Sequence, residues 1–247
     1  MTKIRLAVLA VAVAVAVLFV GSASVSAQTT VGANTTRACS VLPGYTIADV
    51  VETARNYEWA DDTAPGLVVI SNKVAVSGTF GFDFLVNFYW PSYDDMVEKQ
   101  SRWIQSQGGA YPRPWFDGMA TCGENMRMSA IRRATDAMTS SSFEPLTAMI
   151  TVSCELNGAS NEDVMAAAKS IGDTFGATAL VTRRNFGGPR VFPFNSEAGM
   201  RFVFPSWDDF GEGMDTLMQN PVPTGQNAMS CGTASLWASH RIHSRNN

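Results

Sequence analysis

"FYWPSYDDM", Phe88 to Met96, is answered later in the chain by "RFVFPSWDDF", Arg201 to Phe210. Pro91 aligns with Pro205, Ser92 with Ser206, Tyr93 with Trp207, Asp94 with Asp208 and Asp95 with Asp209, all at an offset of 114 residues (205 − 91). Upstream the same offset aligns "LPGYTIADVV" from Leu42 with "LNGASNEDVM" from Leu156, and downstream Met96, Gln100, Trp103 and Ile104 meet Phe210, Met214, Leu217 and Met218. "TCG" at Cys122 is echoed by "SCG" at Cys231 at a slightly shorter spacing. A register held over this length predicts two copies of one unit, residues 36–135 and 145–243, joined by a Ser-rich linker over 136–144, with a polar tail over 244–247.

The chemistry of the motif predicts a joint between a strand and a helix. Pro ends the strand, Ser92 or Ser206 offers an N-cap oxygen, and the paired aspartates fall in the first helical turn, where they favour the helix dipole. The competing reading is that these aspartates hold a metal or a proton. Before the motif, Phe80, Phe82, Phe84, Val86, Phe88 and Trp90 alternate with Asp83, Asn87 and Tyr89, the period of a strand with one apolar face. "LTAMITVSCEL" from Leu146 alternates likewise, and Val164, Ala168, Ile171 and Phe175 recur at helical spacing, as Val50, Ala54 and Tyr57 do in the first unit. With a last strand near Cys122 or Cys231, each unit reads β-α-β-β-α-β, the ferredoxin-like order, whose first and last strands lie side by side.

That order brings Cys39, at the end of one first strand, to Cys122, and Cys154 to Cys231. Four cysteines allow three pairings, and disulfides Cys39–Cys122 and Cys154–Cys231 are the expectation for an exported chain. Zinc is the rival reading, weakened by the lack of close Cys-x-x-Cys spacing and by only two histidines. No metal site is expected.

Export is read from the first residues. Lys3 and Arg5 precede an apolar run from Leu6 to Val20 and a small-residue stretch ending at Ala27, the pattern of a cleaved signal peptide over residues 1–27. The run is shorter than the roughly 20 residues a spanning helix needs. Residues 28–35 are expected to be disordered, and Asn34-Thr35-Thr36 fits an N-glycosylation acceptor that matters only in a eukaryotic secretory pathway. Loss of the leader removes two cations from the 18 Lys and Arg and none of the 22 Asp and Glu, a balance of −6. Such a chain favours neither nucleic acid nor an anionic membrane surface. The expected location is the bacterial periplasm or the exterior.

Each sheet carries its helices on the apolar face, so the face bearing Asp83, Asn87, Tyr89, Glu197, Arg201, Thr151 and Ser153 needs a second cover, which the other copy supplies. In this doubled α+β topology the chain resembles the dimeric α+β-barrel superfamily, which includes the antibiotic-biosynthesis-monooxygenase-like proteins, in a single-chain tandem form. The resemblance spans nearly all of the mature chain and consists of topology and duplication. It implies two ferredoxin-like repeats packed sheet to sheet as a pseudo-dimeric barrel, with a pocket between the sheets. Within that pocket Asp83, Asn87, Tyr89, Glu197 and Arg201 are the expected ligand-binding residues, with Trp115 as a lid or plug from the "GGAYPRPWFDG" loop. The alternative is that these polar groups satisfy one another in a structural interface.

Among other candidates, His240 is a possible base if the last strand turns it inward, whereas His243, three residues on, would face the opposite side. "TRRNFGGPR" around Arg183, Arg184 and Arg190 reads either as an anion grip or as a solvated hairpin tip. The expected function is a non-catalytic exported protein without a cofactor, binding a small molecule or a partner protein. The alternative is a cofactor-independent monooxygenase or a haem-binding or haem-degrading enzyme, as that superfamily includes.

Overall fold

The computed structural model describes residues 31–76, 80–106, 116, 118–123, 126–135, 144–186, 198–219 and 229–245. The expected leader, most of the linker, Trp115 and Glu197 lie outside these residues. The elements run β1 (Val31–Val41), α1 (Ile47–Arg55), β2 (Leu67–Ala75), β3 (Phe84–Trp90), α2 (Tyr93–Ser106), β4 (Ala120–Cys122) and β5 (Arg127–Arg133), then β6 (Leu146–Glu155), α3 (Asn161–Phe175), β7 (Thr178–Phe186), β8 (Ala198–Val203), α4 (Trp207–Gln219), β9 (Ser230–Cys231) and β10 (Ser235–Ser244).

Strands pair in the order β5-β1-β3-β2 in the first half and β10-β6-β8-β7 in the second. The free edges then join: β2 pairs with β10 and β5 with β7, both antiparallel. Eight strands therefore close into an antiparallel barrel, and no long edge is left unpaired. The sequence reading had the sheets packed face to face. Their faces do enclose a common interior, but the halves are held by two hydrogen-bonded seams, which no local pattern announces.

The Pro-Ser joint forms as read. Ser92 Oγ accepts from Asp95 N at 3.1 Å and Ser206 Oγ from Asp209 N at 3.0 Å. The first helix of each half is capped by a second matched device, a capping box of Thr46 with Asp49 and of Ser160 with Asp163. Just before each box a glycine takes positive φ, +93° at Gly44 and +95° at Gly158, a conformation that disfavours any side chain.

Two apolar layers lie between barrel and helices. Val50, Val51, Ala54 and Met96 pack on Val68, Ile70, Phe84, Val86, Phe88 and Trp90 in one half. Val164, Ala168 and Phe175 pack on Ile150, Val181, Met200 and Phe202 in the other. A third cluster of Phe82, Leu85, Met149 and Trp237 draws on both halves and occupies the barrel interior. Phe80 and Phe82 thus leave the side predicted for them: β3 begins only at Phe84, so the strand alternation does not reach back to them, and both rings turn inward against Trp237.

Cys39–Cys122 and Cys154–Cys231 are the disulfides. Each crosses a register pair, β1 with β4 and β6 with β9. They suit an oxidising compartment. Among the described residues no group of side chains forms a metal site, and no helix is long and apolar enough to cross a membrane. The disorder expected over residues 28–35 does not extend to 31–35; residues 28–30 lie outside the described residues. Val31 to Thr35 belong to β1, where pairing with β3 and β5 satisfies both edges of the backbone. At the other end Ser244 pairs with Leu67, and Arg245 N donates to Gly66 O at 2.9 Å.

Candidate functional site

Residues opposite each other across a ladder share a face, so the register sorts every wall residue. Asn34 pairs with Tyr89, Thr36 with Asn87, and Thr151 with Arg201, and all of these point into the lumen. In the lumen they form a chain of hydrogen bonds that crosses between the halves. Arg201, on β8, donates from Nη1 to Tyr89 Oη at 2.9 Å and from Nη2 to Asn34 Oδ1 at 3.1 Å. The Thr36 hydroxyl sits 3.1 Å from Asn34 Oδ1 and 2.9 Å from Asn87 Oδ1. Asn87 Nδ2 reaches Ser71 Oγ at 3.5 Å, and Ser71 Oγ lies 3.0 Å from Ser239 Oγ, back in the second half. Asn34 Nδ2 donates to Phe88 O at 3.0 Å.

Most of this chain is fully buried, with Asn34 and Asn87 each 1% exposed, whereas Arg201 and Tyr89 at its end are half-buried. The lumen therefore has three parts: an aromatic plug around Trp237, a closed polar lattice, and an accessible guanidinium and phenol. Trp237 itself donates from Nε1 to Thr151 Oγ1 at 2.9 Å, which ties plug to lattice.

The predicted residues divide accordingly. Asn87, Tyr89 and Arg201 are brought together. Asp83 is not: it stands at the open start of β3, exposed, accepting from Val41 N at 3.0 Å and facing Lys73 at 4.0 Å. Trp115 and Glu197 lie outside the described residues. Phe116, beside Trp115, packs on Phe84 in the layer under the helices, while Phe80, Phe82 and Trp237 are rings at the lumen. Asn34, Thr36, Ser71 and Ser239 were missed, although the alternation within "ANTTRACS" carried the signal for the first two. Asn34 at 1% exposure cannot accept a glycan in the folded protein, which removes the glycosylation reading.

His240 does not face the lumen. It pairs with Ile70, on the helix side of the wall, and its Nε2 lies 2.9 Å from Asn72 Oδ1. Burial, aided by the Arg55 guanidinium, pushes its pKa below the ordinary histidine value. A register shift between Arg241 and His243 places His243 opposite Val68, the same side as His240, where strict alternation would have separated them. His243 packs against Trp59, with ring centroids 5.3 Å apart. Arg183 and Arg184 lie in β7, paired with β5, while the Gly-Gly-Pro stretch and Arg190 lie outside the described residues.

These placements bear on haem. Proximal ligation uses a histidine or a thiolate in most haem proteins, yet both imidazoles are on the helix side and all four cysteines are in disulfides. The described residues do not fit a haem held by either group in the lumen.

No family model and no curated protein matches the chain. Solved structures similar to it include a protein assigned as a chlorite dismutase, at 14% identity over 87% of this chain and 96% of that one, TM-score 0.48. A mutant chlorite dismutase from Candidatus Nitrospira defluvii is similar at 10% identity, over 87% and 93%, TM-score 0.42. An anthrone oxidase-like protein is similar at 12% identity, over 88% and 96%, TM-score 0.44. Likeness at this level assigns no activity to the chain, whose site is described by its own side chains alone.

Proposed function

We propose that the chain is an exported, non-catalytic binding protein in which two copies of one β-α-β-β-α-β unit, residues 36–135 and 145–243, enclose a lumen that holds a small molecule. The matched devices at an offset of 114 support the duplication: the boxes at Thr46 and Ser160, the caps at Ser92 and Ser206, and the turns at Gly44 and Gly158. The disulfides support export. One observation carries the binding role: Arg201 is held across the lumen by Tyr89 and Asn34 of the other half, half-buried and, among the described residues, bonded only to neutral partners. A guanidinium placed so is poised for a guest, because burying a cation without a counter-charge is unfavourable.

Native mass spectrometry of the mature protein from its source tests this. The expected spectrum shows a small-molecule adduct that is released on denaturation and absent from Arg201→Gln. A bare polypeptide mass for the native protein, under conditions that keep both disulfides, contradicts it.

A further inference from the structure

We infer that the molecule held in the lumen is an oxyanion, a carboxylate or a phosphate ester, gripped by Arg201 and Tyr89 together. The inference rests on the binding reading above and names the ligand's chemistry. It follows first from counting hydrogen-bonding capacity at the accessible end of the lattice. Asn34 Oδ1 already accepts from Arg201, with the Thr36 hydroxyl, whose one proton it shares with Asn87 Oδ1, at 3.1 Å, and Asn34 Nδ2 is committed to Phe88 O. Tyr89 Oη accepts from Arg201, which leaves the phenol proton to donate outward. Of the five guanidinium N–H groups, two are used. What remains unfilled at this spot is donors, around a fixed positive charge. A group with several lone pairs and a negative charge completes it; an amine or a bare hydrocarbon does not.

The second observation is independent of that geometry. Across the ten described strands Glu155 is the sole carboxylate, while Arg37, Lys73, three arginines on β5, two on β7, Arg201 and Arg241 are cations. By register Lys73, which faces Asp83 at the rim, Arg127 and Arg241 share the inward face with Arg201, through their pairings with Trp237, Thr36 and Val69. The helices show the opposite sign, most clearly α4 with Asp208, Asp209, Glu212 and Asp215 and no cation, while on α2 Lys99 and Arg102 offset two of Asp94, Asp95 and Glu98. An acidic protein therefore keeps its wall and lumen cationic. Field lines from such a wall concentrate in the low-dielectric interior and draw an anion inward.

The test uses four probes of one ring size: benzoate, phenyl phosphate, benzyl alcohol and benzylamine. Each is titrated calorimetrically into the mature, disulfide-intact protein. Benzoate or phenyl phosphate, or both, is expected to bind, with affinity falling as salt rises. The neutral and cationic probes are expected to bind at least about tenfold more weakly. Arg201→Gln should weaken the anion about 10- to 100-fold, the usual range for a charged hydrogen bond. Arg201→Lys, which keeps the charge but not the fork, should weaken it less, and Tyr89→Phe should cost a smaller factor without threatening the fold. Lys169→Gln on α3, whose partner is Asp173, should change nothing. Equal or tighter binding of benzyl alcohol or benzylamine overturns the oxyanion and leaves a lumen site standing. Failure of both anions to bind, or anion affinity indifferent to Arg201→Gln and Tyr89→Phe in folded protein, overturns the inference outright. Whether the lumen holds any guest is decided separately by the native mass.

Discussion

His240 and His243 share the helix side of β10 because one bulge intervenes between them, and both are held neutral there. Burial dominates in each case; Arg55 adds to it at His240, and Arg245 at His243, where the Pro65 carbonyl and Asp61 oppose it only in part. A histidine pKa lowered by folding gives stability that is complete above the ordinary value of about 6.5 and is lost as pH falls through the folded-state values. Asp49 and Asp163, held low mainly by hydrogen bonds from Thr46 and Ser160, titrate below this window. The urea midpoint is therefore expected to fall between pH 8 and pH 5, and to fall less in a His240→Gln, His243→Gln double variant; equal slopes contradict it. At this scale the sequence was least legible. Alternation predicted opposite faces for the two histidines, and only a backbone irregularity, invisible in side-chain pattern, reverses that. Asn34 was legible as a polar residue but not as a buried one, because a short Thr-rich run resembles a disordered leader until β3 and β5 are seen on either side of it.

At the scale of the element, the Pro-Ser-x-Asp-Asp joint was readable because capping is local: the donor, the acceptor and the helix start lie within four residues. Strand beginnings were not, and Phe80 and Phe82 show why. Their spacing fits a strand, but β3 begins only at Phe84, and both rings pack with Trp237 in the lumen instead. Helix α4 offers a sharp test of packing against propensity. A Cβ on Gly213 would lie 2.6 Å from Phe175 O and 2.9 Å from Phe204 Cε1, whereas one on Gly211, in the same helix, meets nothing within 4 Å. Gly213→Ala is expected to destabilise by about 1–3 kcal/mol through overpacking of α4 on α3. Gly211→Ala is expected to stabilise by up to about 1 kcal/mol through helix propensity. Thermal midpoints moving in the same direction for both would contradict the placement of α4.

At the scale of the molecule, the cysteine partners followed from the sequence, since a strand order is enough to set Cys39 beside Cys122. Barrel closure did not follow, because the β2–β10 and β5–β7 seams join residues far apart in the chain and depend on edge geometry rather than periodicity. The charge partition was present in plain sight: cations in the strands, carboxylates in the helices. It becomes meaningful only when the strands are known to surround a lumen. Closure is what places Arg201 of one half against Tyr89 and Asn34 of the other, so the seams are the claim on which the site depends. Hydrogen exchange on the disulfide-intact protein measures them directly. Amides along Ile70 to Lys73 and Ala238 to Arg241 are predicted to be protected to within about tenfold of those in the β1–β3 ladder inside one half. Exchange across β2 and β10 at the rate of an open edge, with β1–β3 still protected, would contradict the closed barrel and the site within it.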